Sequence, residues 1–371
     1  MKRIVFYIVT MLAVSACVYP YSVDLEETAK PELVIDANIL LGNTSTVNLS
    51  YLQPLEVGQK MTAVSGRASG NVYLEDESGH IFKATSRYGT YELPNIVPSD
   101  NSKYRLTVEV DGNIYRSEWI EPTAPPTITD VRFSADNTQV YVQVSIQDEG
   151  EGSGYAAATV EEIWNFHTDY MRMYAYNVLT NSVEALMAPD DKHYWCWKKN
   201  VSGTVVPINY SSLNGVITDY PVLSFWRTDS RNHQEYDVRV KVWNLTPEQY
   251  RYRKMLEENE SIGGNLFSPE PGEVRGNIYC ENDASVKVYG YVNISQVVIK
   301  DAVLPSTYDM WKVPNTLVKV SPEDYLTMFE RGYSPVDDVQ LSDGSTYVGW
   351  GLERCYDCIA AGGTLEKPSF D

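Results

Sequence analysis

Residues 104–117 read Tyr104-Arg105-Leu106-Thr107-Val108-Glu109-Val110-Asp111-Gly112-Asn113-Ile114-Tyr115-Arg116-Ser117. Leu106, Val108 and Val110 alternate with Arg105, Thr107 and Glu109, the period of two that turns one face of a strand to a core and the other to water. Asp111-Gly112 supplies two residues that tolerate positive φ in a tight turn, after which the chain runs back. A helix would need apolar residues three and four apart, so this stretch selects an antiparallel sheet.

The same pattern recurs on either side. Leu33-Val34-Ile35-Asp36-Ala37 and Asn71-Val72-Tyr73-Leu74-Glu75 alternate in the same way between turn signals. Residues 31–122 are therefore expected to form a β-sandwich of immunoglobulin-like or transthyretin-like type. Glu121-Pro122-Thr123-Ala124-Pro125-Pro126 follows; each proline fixes its own φ and restricts its predecessor, which predicts a stiff hinge. A larger β-rich domain is expected over 127–371, with strands such as Gln139–Ile146 and Tyr236–Trp243. One substantial helix is predicted near 247–260: Thr246 can cap its first amides, Pro247 suits the first helical position and Gly263-Gly264 stops it. A shorter helix is predicted over Ser321–Phe329. Residues 155–220, crowded with tryptophan and tyrosine, read as strand and loop. The fold class is mainly β.

The N-terminus carries a different signal. Met1-Lys2-Arg3 is positive, and Ile4–Val14 is apolar but too short to span a bilayer permanently. Leu12-Ala13-Val14-Ser15-Ala16-Cys17 sets small residues before a cysteine, as a lipoprotein signal peptidase requires. Residues 1–16 are thus expected to be removed, Cys17 to take a covalent lipid, and 17–30 to serve as a lipidated tether. Several acyl chains hold such a protein stably to a membrane. The formal net charge is −20 and grows more negative when Lys2 and Arg3 leave. Such a body repels nucleic acid and anionic head groups, so the membrane is expected to be met through the lipid alone.

Four further cysteines, Cys196, Cys280, Cys355 and Cys358, suggest two disulfides in an oxidising compartment, with three possible connectivities. Cys355-x-x-Cys358 also fits zinc or a redox centre, but no second such pair completes a zinc site and glycines rather than a strand and helix surround it. Structural disulfides are the preferred reading, and no metal or cofactor beyond the lipid is expected. His80, His167, His193 and His233 are scattered, with none beside a plausible nucleophile. The chain lacks Gly-x-Ser-x-Gly, His-Glu-x-x-His and a phosphate loop. No catalytic residue is named and no enzyme is expected, although paired carboxylates of a hydrolase can hide among fifty acids. The acidic loop 148–154 could wrap calcium but lacks EF-hand spacing, and a solvated loop is preferred. Tyr194-Trp195-Cys196-Trp197 is the densest aromatic cluster. Alternation would put Trp195 and Trp197 on one face and Tyr194 and Cys196 on the other; packing around a disulfide is preferred, with an interface as the alternative.

The segments Tyr250–Glu260, Gly263-Gly264-Asn265-Leu266-Phe267-Ser268-Pro269 and Arg275-Gly276-Asn277-Ile278-Tyr279 resemble a family of Bacteroidota outer-membrane lipoproteins, domain of unknown function 4249. Asp24-Leu25 with Pro31–Ile35 near the start, and Cys355-Tyr356-Asp357-Cys358 with Gly362-Gly363-Thr364 near the end, extend the resemblance. It does not cover 155–220 beyond Cys196-Trp197, nor Cys280. Asp24, Glu26 and Glu27 lie where surface-destined lipoproteins of Bacteroidota carry an acidic export signal. The resemblance implies a lipoprotein usually encoded beside a TonB-dependent receptor, and no catalytic residue. Asn265 and Asn277 are its hallmark turn formers and become candidate interface residues, with Tyr194, Trp195 and Trp197.

The expected function is a non-catalytic accessory lipoprotein of a TonB-dependent uptake receptor, surface-exposed on the outer membrane and binding receptor, cargo or both through the larger domain. A surface hydrolase with a carboxylate site and a structural envelope protein are the alternatives. Replacing Cys17 with Ser is expected to abolish labelling by a fatty-acid analogue and to release the protein from membranes. Persistent labelling would remove the lipoprotein assignment.

Overall fold

The computed structural model describes residues 32–52, 66–87, 90–99, 102–148, 154–201, 203–232, 234–261, 276–304 and 314–370, with backbone alone at 258–261. Cys17, the 17–30 tether, His233, Gly263-Gly264, Asn265 and most of the acidic loop 148–154 lie outside them. The chain is mainly β, and among the described residues no helix is long and apolar enough to cross a membrane.

Two five-stranded sheets form the first sandwich. Leu33, Ile35, Ala37 and Ile39 point inward from one sheet and Val72, Leu74, Leu106 and Val108 from the other, all in one buried core. The turn opened by residues 104–117 is as expected: Asp111 and Gly112 both take positive φ, 51° and 80°, and Val110 pairs with Asn113. Positive φ at both central residues matches the right-handed twist of the flanking strands.

This sandwich is not closed by residues 31–122. Leu33–Leu41 lies between Ser45–Tyr51, antiparallel, and Val288–Gln296, parallel and in register from Leu33–Val288 to Leu41–Gln296. Ile278–Cys280 likewise joins the second sheet beside Asn113–Ser117. The boundary expected after residue 122 therefore does not separate the sheets, since 278–296 return to complete them. Two glycines allow this return. Gly290 has φ of 106°, and a Cβ there would overlap the Ile35 carbonyl; one at Gly276 would overlap the carbonyl of Gly290. Asn277, read as a turn former, acts as a piece of sheet. Its side-chain amide donates to the Val292 carbonyl at 2.9 Å and its side-chain oxygen accepts from the Val292 N–H at 2.8 Å.

A second sandwich packs the three-stranded sheet of Thr127–Ala135, Gln139–Gln147 and Val216–Trp226 against the sheet centred on Tyr155–His167 and Tyr236–Asn244. Glu162 in its long central strand is fully buried, yet well supplied with donors. Tyr236 and Asn200 each donate to it at 2.7 Å, and Arg231 lies at 2.7 Å. A buried charge persists only with such pairing.

The proline-rich hinge is pinned. The Asn244 side chain donates to the Ala124 carbonyl and to Asp148 and accepts from the Tyr210 hydroxyl, while its backbone carbonyl accepts from Thr123 and Ser295. A small core of Leu40, Ala157, Trp243 and Leu245, with Tyr155 stacked on Tyr250 at 4.4 Å, seals the same junction. The predicted helix spans Pro247–Ser261, and its start is a capping box. Gln249 N–H donates to the Thr246 hydroxyl at 3.2 Å and Thr246 N–H to the Gln249 side chain at 2.7 Å. The shorter predicted helix begins as a 3-10 turn, Pro322–Asp324, and continues as Tyr325–Glu330.

Residues 32–122 made alone are expected to show no cooperative thermal transition. In the full chain, Ile294→Ala, buried in the returning strand, is expected to lower the unfolding free energy by about 2–5 kcal/mol in urea melts. A cooperative transition in the fragment would show that the return is dispensable.

Candidate binding surface

The Trp195–Val201 strand pairs with Tyr155–His167 so that Cys196 faces Phe166 and Trp195 faces His167. Cys196 points into the second core and is disulfide-bonded to Cys358. The expectation of two disulfides is corrected. Cys280 is buried in the first core, on the return strand, and Cys355 is buried in the C-terminal segment; neither is disulfide-bonded. Gly363 fits against the bridge, where a Cβ would press on Cys196 and Phe166. The disulfide thus fastens the C-terminal segment to the sandwich, and Thr364 exchanges backbone hydrogen bonds with Trp197 at 2.7 and 2.9 Å.

The aromatic cluster divides. Trp195 is exposed and meets the His167 ring edge-on at 4.9 Å. Tyr194, one residue before the strand begins, stacks on His167 at 4.9 Å rather than following Cys196 inward. Trp197 is on the Trp195 face but is half-buried under the C-terminal tail, where the Lys367 ammonium lies 4.9 Å from its ring centre. Trp195 and Tyr194 remain available for contact. Asn277 lies elsewhere, in the first sandwich, with its side chain committed to Val292.

Beside Tyr194, a polar cavity of about 240 Å³ is lined by Arg172, Asp190, Lys192, His193, Glu353, Tyr356 and Asp357. Its firmest contact is His193 Nδ1 to Asp357 Oδ2 at 2.7 Å. Burial alone would push the Asp357 carboxyl up, but the His193 hydrogen bond and the amides of Ala360 and Ile359 hold it below the ordinary carboxylate range. Among the described residues no hydroxyl or thiol is hydrogen-bonded to the other ring nitrogen of His193, and no group of three or more His, Cys, Asp or Glu is arranged to hold a metal.

A hairpin not legible in the sequence projects from this cavity, Arg172–Asn177 paired with Ser182–Asp190 and closed at its base by an Arg172–Asp190 ion pair at 2.9 Å. One face is clamped. Tyr174 donates to Asp338 at 3.0 Å, and Tyr176 packs on Tyr325, Phe329 and the fully buried Trp350. The hairpin also exposes Met173 and Met187, with Met171 just before its base and Val178 and Leu179 at its tip; Leu179 is 97% exposed. The signal available was tyrosine alternating with methionine and alanine over 172–177, obscured by a register shift between Arg172 and Tyr174.

A carboxyl depressed on folding stabilises the native state above its unfolded value of about 3.9, and that contribution is lost as pH falls through the lower folded value. Asp357→Asn is therefore expected to cost about 1–3 kcal/mol in urea melts above about pH 5, with the difference from wild type shrinking below about pH 4. A difference unchanged across that range would overturn the role given to Asp357.

The model of the family described as "Domain of unknown function (DUF4249)" matches residues 18–301, so the matched region stops short of the Cys355-x-x-Cys358 segment. No curated protein matches the chain. Among solved structures, a two-domain fibronectin type-III segment from chicken tenascin aligns at 8% identity over 59% of this chain and 92% of that one, with a TM-score of 0.18. The family match takes in both sandwiches and the capped helix between them, and on that extent the chain belongs to the DUF4249 family.

Proposed function

We propose that this chain is a surface-exposed outer-membrane lipoprotein, held by lipid on Cys17, that serves a TonB-dependent uptake receptor as a non-catalytic accessory, binding the receptor, its cargo or both. The observation that carries the reading is the clamped hairpin. Its tyrosine face is fixed to the C-terminal sheet, while Met171, Met173, Leu179 and Met187 meet solvent. Exposed apolar side chains on a fixed base are what a partner buries, and methionine adapts its shape to what it meets. The hairpin is a two-stranded sheet of its own; Arg172–Asn177 lies against Tyr333–Gln340, so the edge of Ser182–Asp190 is the one that suits strand addition by an extended segment of a receptor. Trp195 and Tyr194 add aromatic contact area close to its base.

Because 278–296 complete the first sandwich, point substitutions test this better than domain deletions. Affinity purification of the full chain from outer membranes in mild detergent is expected to recover a TonB-dependent receptor. Leu179→Asp combined with Met187→Glu is expected to reduce recovery about tenfold or more, equivalent to roughly 1.4 kcal/mol. Failure to recover any receptor, together with hydrolysis of a glycan or peptide by the purified protein, would favour the enzyme reading.

A further inference from the structure

Where the first sandwich meets the Pro247–Ser261 helix there is a cleft of about 410 Å³. Its floor follows from strand alternation. Leu33, Ile35 and Ala37 point into the core, so Asp36 points out, with Tyr291 opposite it on one neighbouring strand and Asn48 on the other. The helix crosses this outer face. Tyr252 rests on Tyr291 with ring centres 4.7 Å apart, and the next residue, Arg253, lines the cleft. Residues 203–207 form the opposite wall, with Val205 packed on the junction core, and Leu256 and Glu257 complete the helix side. Glu257 is already engaged by Lys254 at 2.6 Å.

Asp36 and Arg253 are different. Each lies within range of the other's charge, yet neither side chain makes a hydrogen bond or ion pair among the described residues. Asp36 is exposed at the mouth of the cleft, with neighbouring protein around it, and Arg253 is half-buried. Desolvation pushes its carboxyl up, partly offset by Arg253, and pushes the Arg253 guanidinium down, partly offset by Asp36. Opposite charges lining one cleft ordinarily close into a charge-assisted hydrogen bond. Here a strand holds one and a helix the other, and both keep their bonding capacity. Val205, Val206, Pro207 and Leu256 give the lining its apolar part, and Gly203 and Thr204 complete the wall. A concave site that mixes apolar walls with two opposite charges, in the volume range of small-molecule pockets, is suited to a ligand that carries both charges itself.

We propose that this cleft binds a small zwitterion, a free amino acid or short peptide, with its ammonium on Asp36, its carboxylate on Arg253 and an apolar side chain against Val206 and Leu256. The guanidinium offers two parallel N–H donors to a carboxylate, and the Asp36 carboxylate accepts from an ammonium. The site is independent of the receptor reading, since it shares no residue with the hairpin.

Calorimetric titration of the full chain in detergent tests it, using leucine, leucyl-leucine, and each of these with the amine acetylated or the carboxylate amidated. Saturable binding of leucine or leucyl-leucine is expected, weakened about tenfold or more by blocking either end. Whichever of the two binds more tightly identifies the source as free amino acid or peptide. Asp36→Asn is expected to remove the penalty for acetylation, and Arg253→Gln the penalty for amidation. The blocked ligands on the wild-type chain suffice if a variant fails to fold. No saturable binding of either unblocked ligand up to about 10 mM, a weak limit of roughly 3 kcal/mol, or equal binding of blocked and unblocked forms, would overturn the proposal.

Discussion

The parallel pairing of Leu33–Leu41 with Val288–Gln296 is the constraint on which the other features rest. The first strand cannot bury both its edges until nearly the whole chain has been laid down, and all that lies between must return to within one strand spacing of where it began. That requirement explains Gly276 and Gly290, which permit backbones to approach too closely for any side chain, and Asn277, which extends the ladder with its own amide. It also explains why the proline-rich connector is held. Asn244 ties the connector, the second sandwich and the returning strand at one point. A long loop closed early is costly, so the second sandwich, whose strands pair over shorter separations, is expected to order first and present the returning strand to the first.

Exposed apolar and charged side chains collect where this packing leaves them over. The Cys196–Cys358 bridge belongs to the inner face of its strand, and the same alternation puts Trp195 outside. The bridge draws Asp357 to His193 and lays the tail over Trp197, so one covalent bond decides which aromatic stays open and which is covered. The hairpin repeats this logic on a larger scale, with tyrosines spent on attachment and methionines left facing water. At the junction of the two sandwiches, the helix laid across the first sheet sets Arg253 near Asp36.

What could be read in the sequence was what depends on near neighbours. Tyr104–Ser117 declares its hairpin through alternation and Asp111-Gly112, and Thr246-Pro247-Glu248-Gln249 declares a helix start, because the interacting groups lie within a few residues of each other. Residues 278–296 alternate as legibly, but their partners are Leu33–Leu41 and Asn113–Ser117, and alternation does not say which sheet a strand will join. Hence alternation alone bounds the first sandwich at residue 122. The cysteines show the same limit: four thiols with three connectivities read as two bridges, whereas the fold brings Cys196 to Cys358 and buries Cys280 in a different core. Asn277 read as a turn former because its usual role is local; here its partner, Val292, is supplied by the sheet.

The returning strand also determines how the molecule carries load. Leu33–Leu41 is entered from its N-terminal end, and Val288–Gln296 leaves toward the second sandwich from its C-terminal end, through Val298–Val303. Since the two run parallel, a pull between the N-terminus and the second unit acts along both strands in opposite directions and loads their ladder in shear. All the rungs from Leu33–Val288 to Leu41–Gln296 then share the force, whereas an antiparallel hairpin pulled at its open end yields one rung at a time. The ladder between Leu33–Leu41 and Val288–Gln296 thus makes the first sandwich a mechanical coupling between the chain that enters it and the second unit.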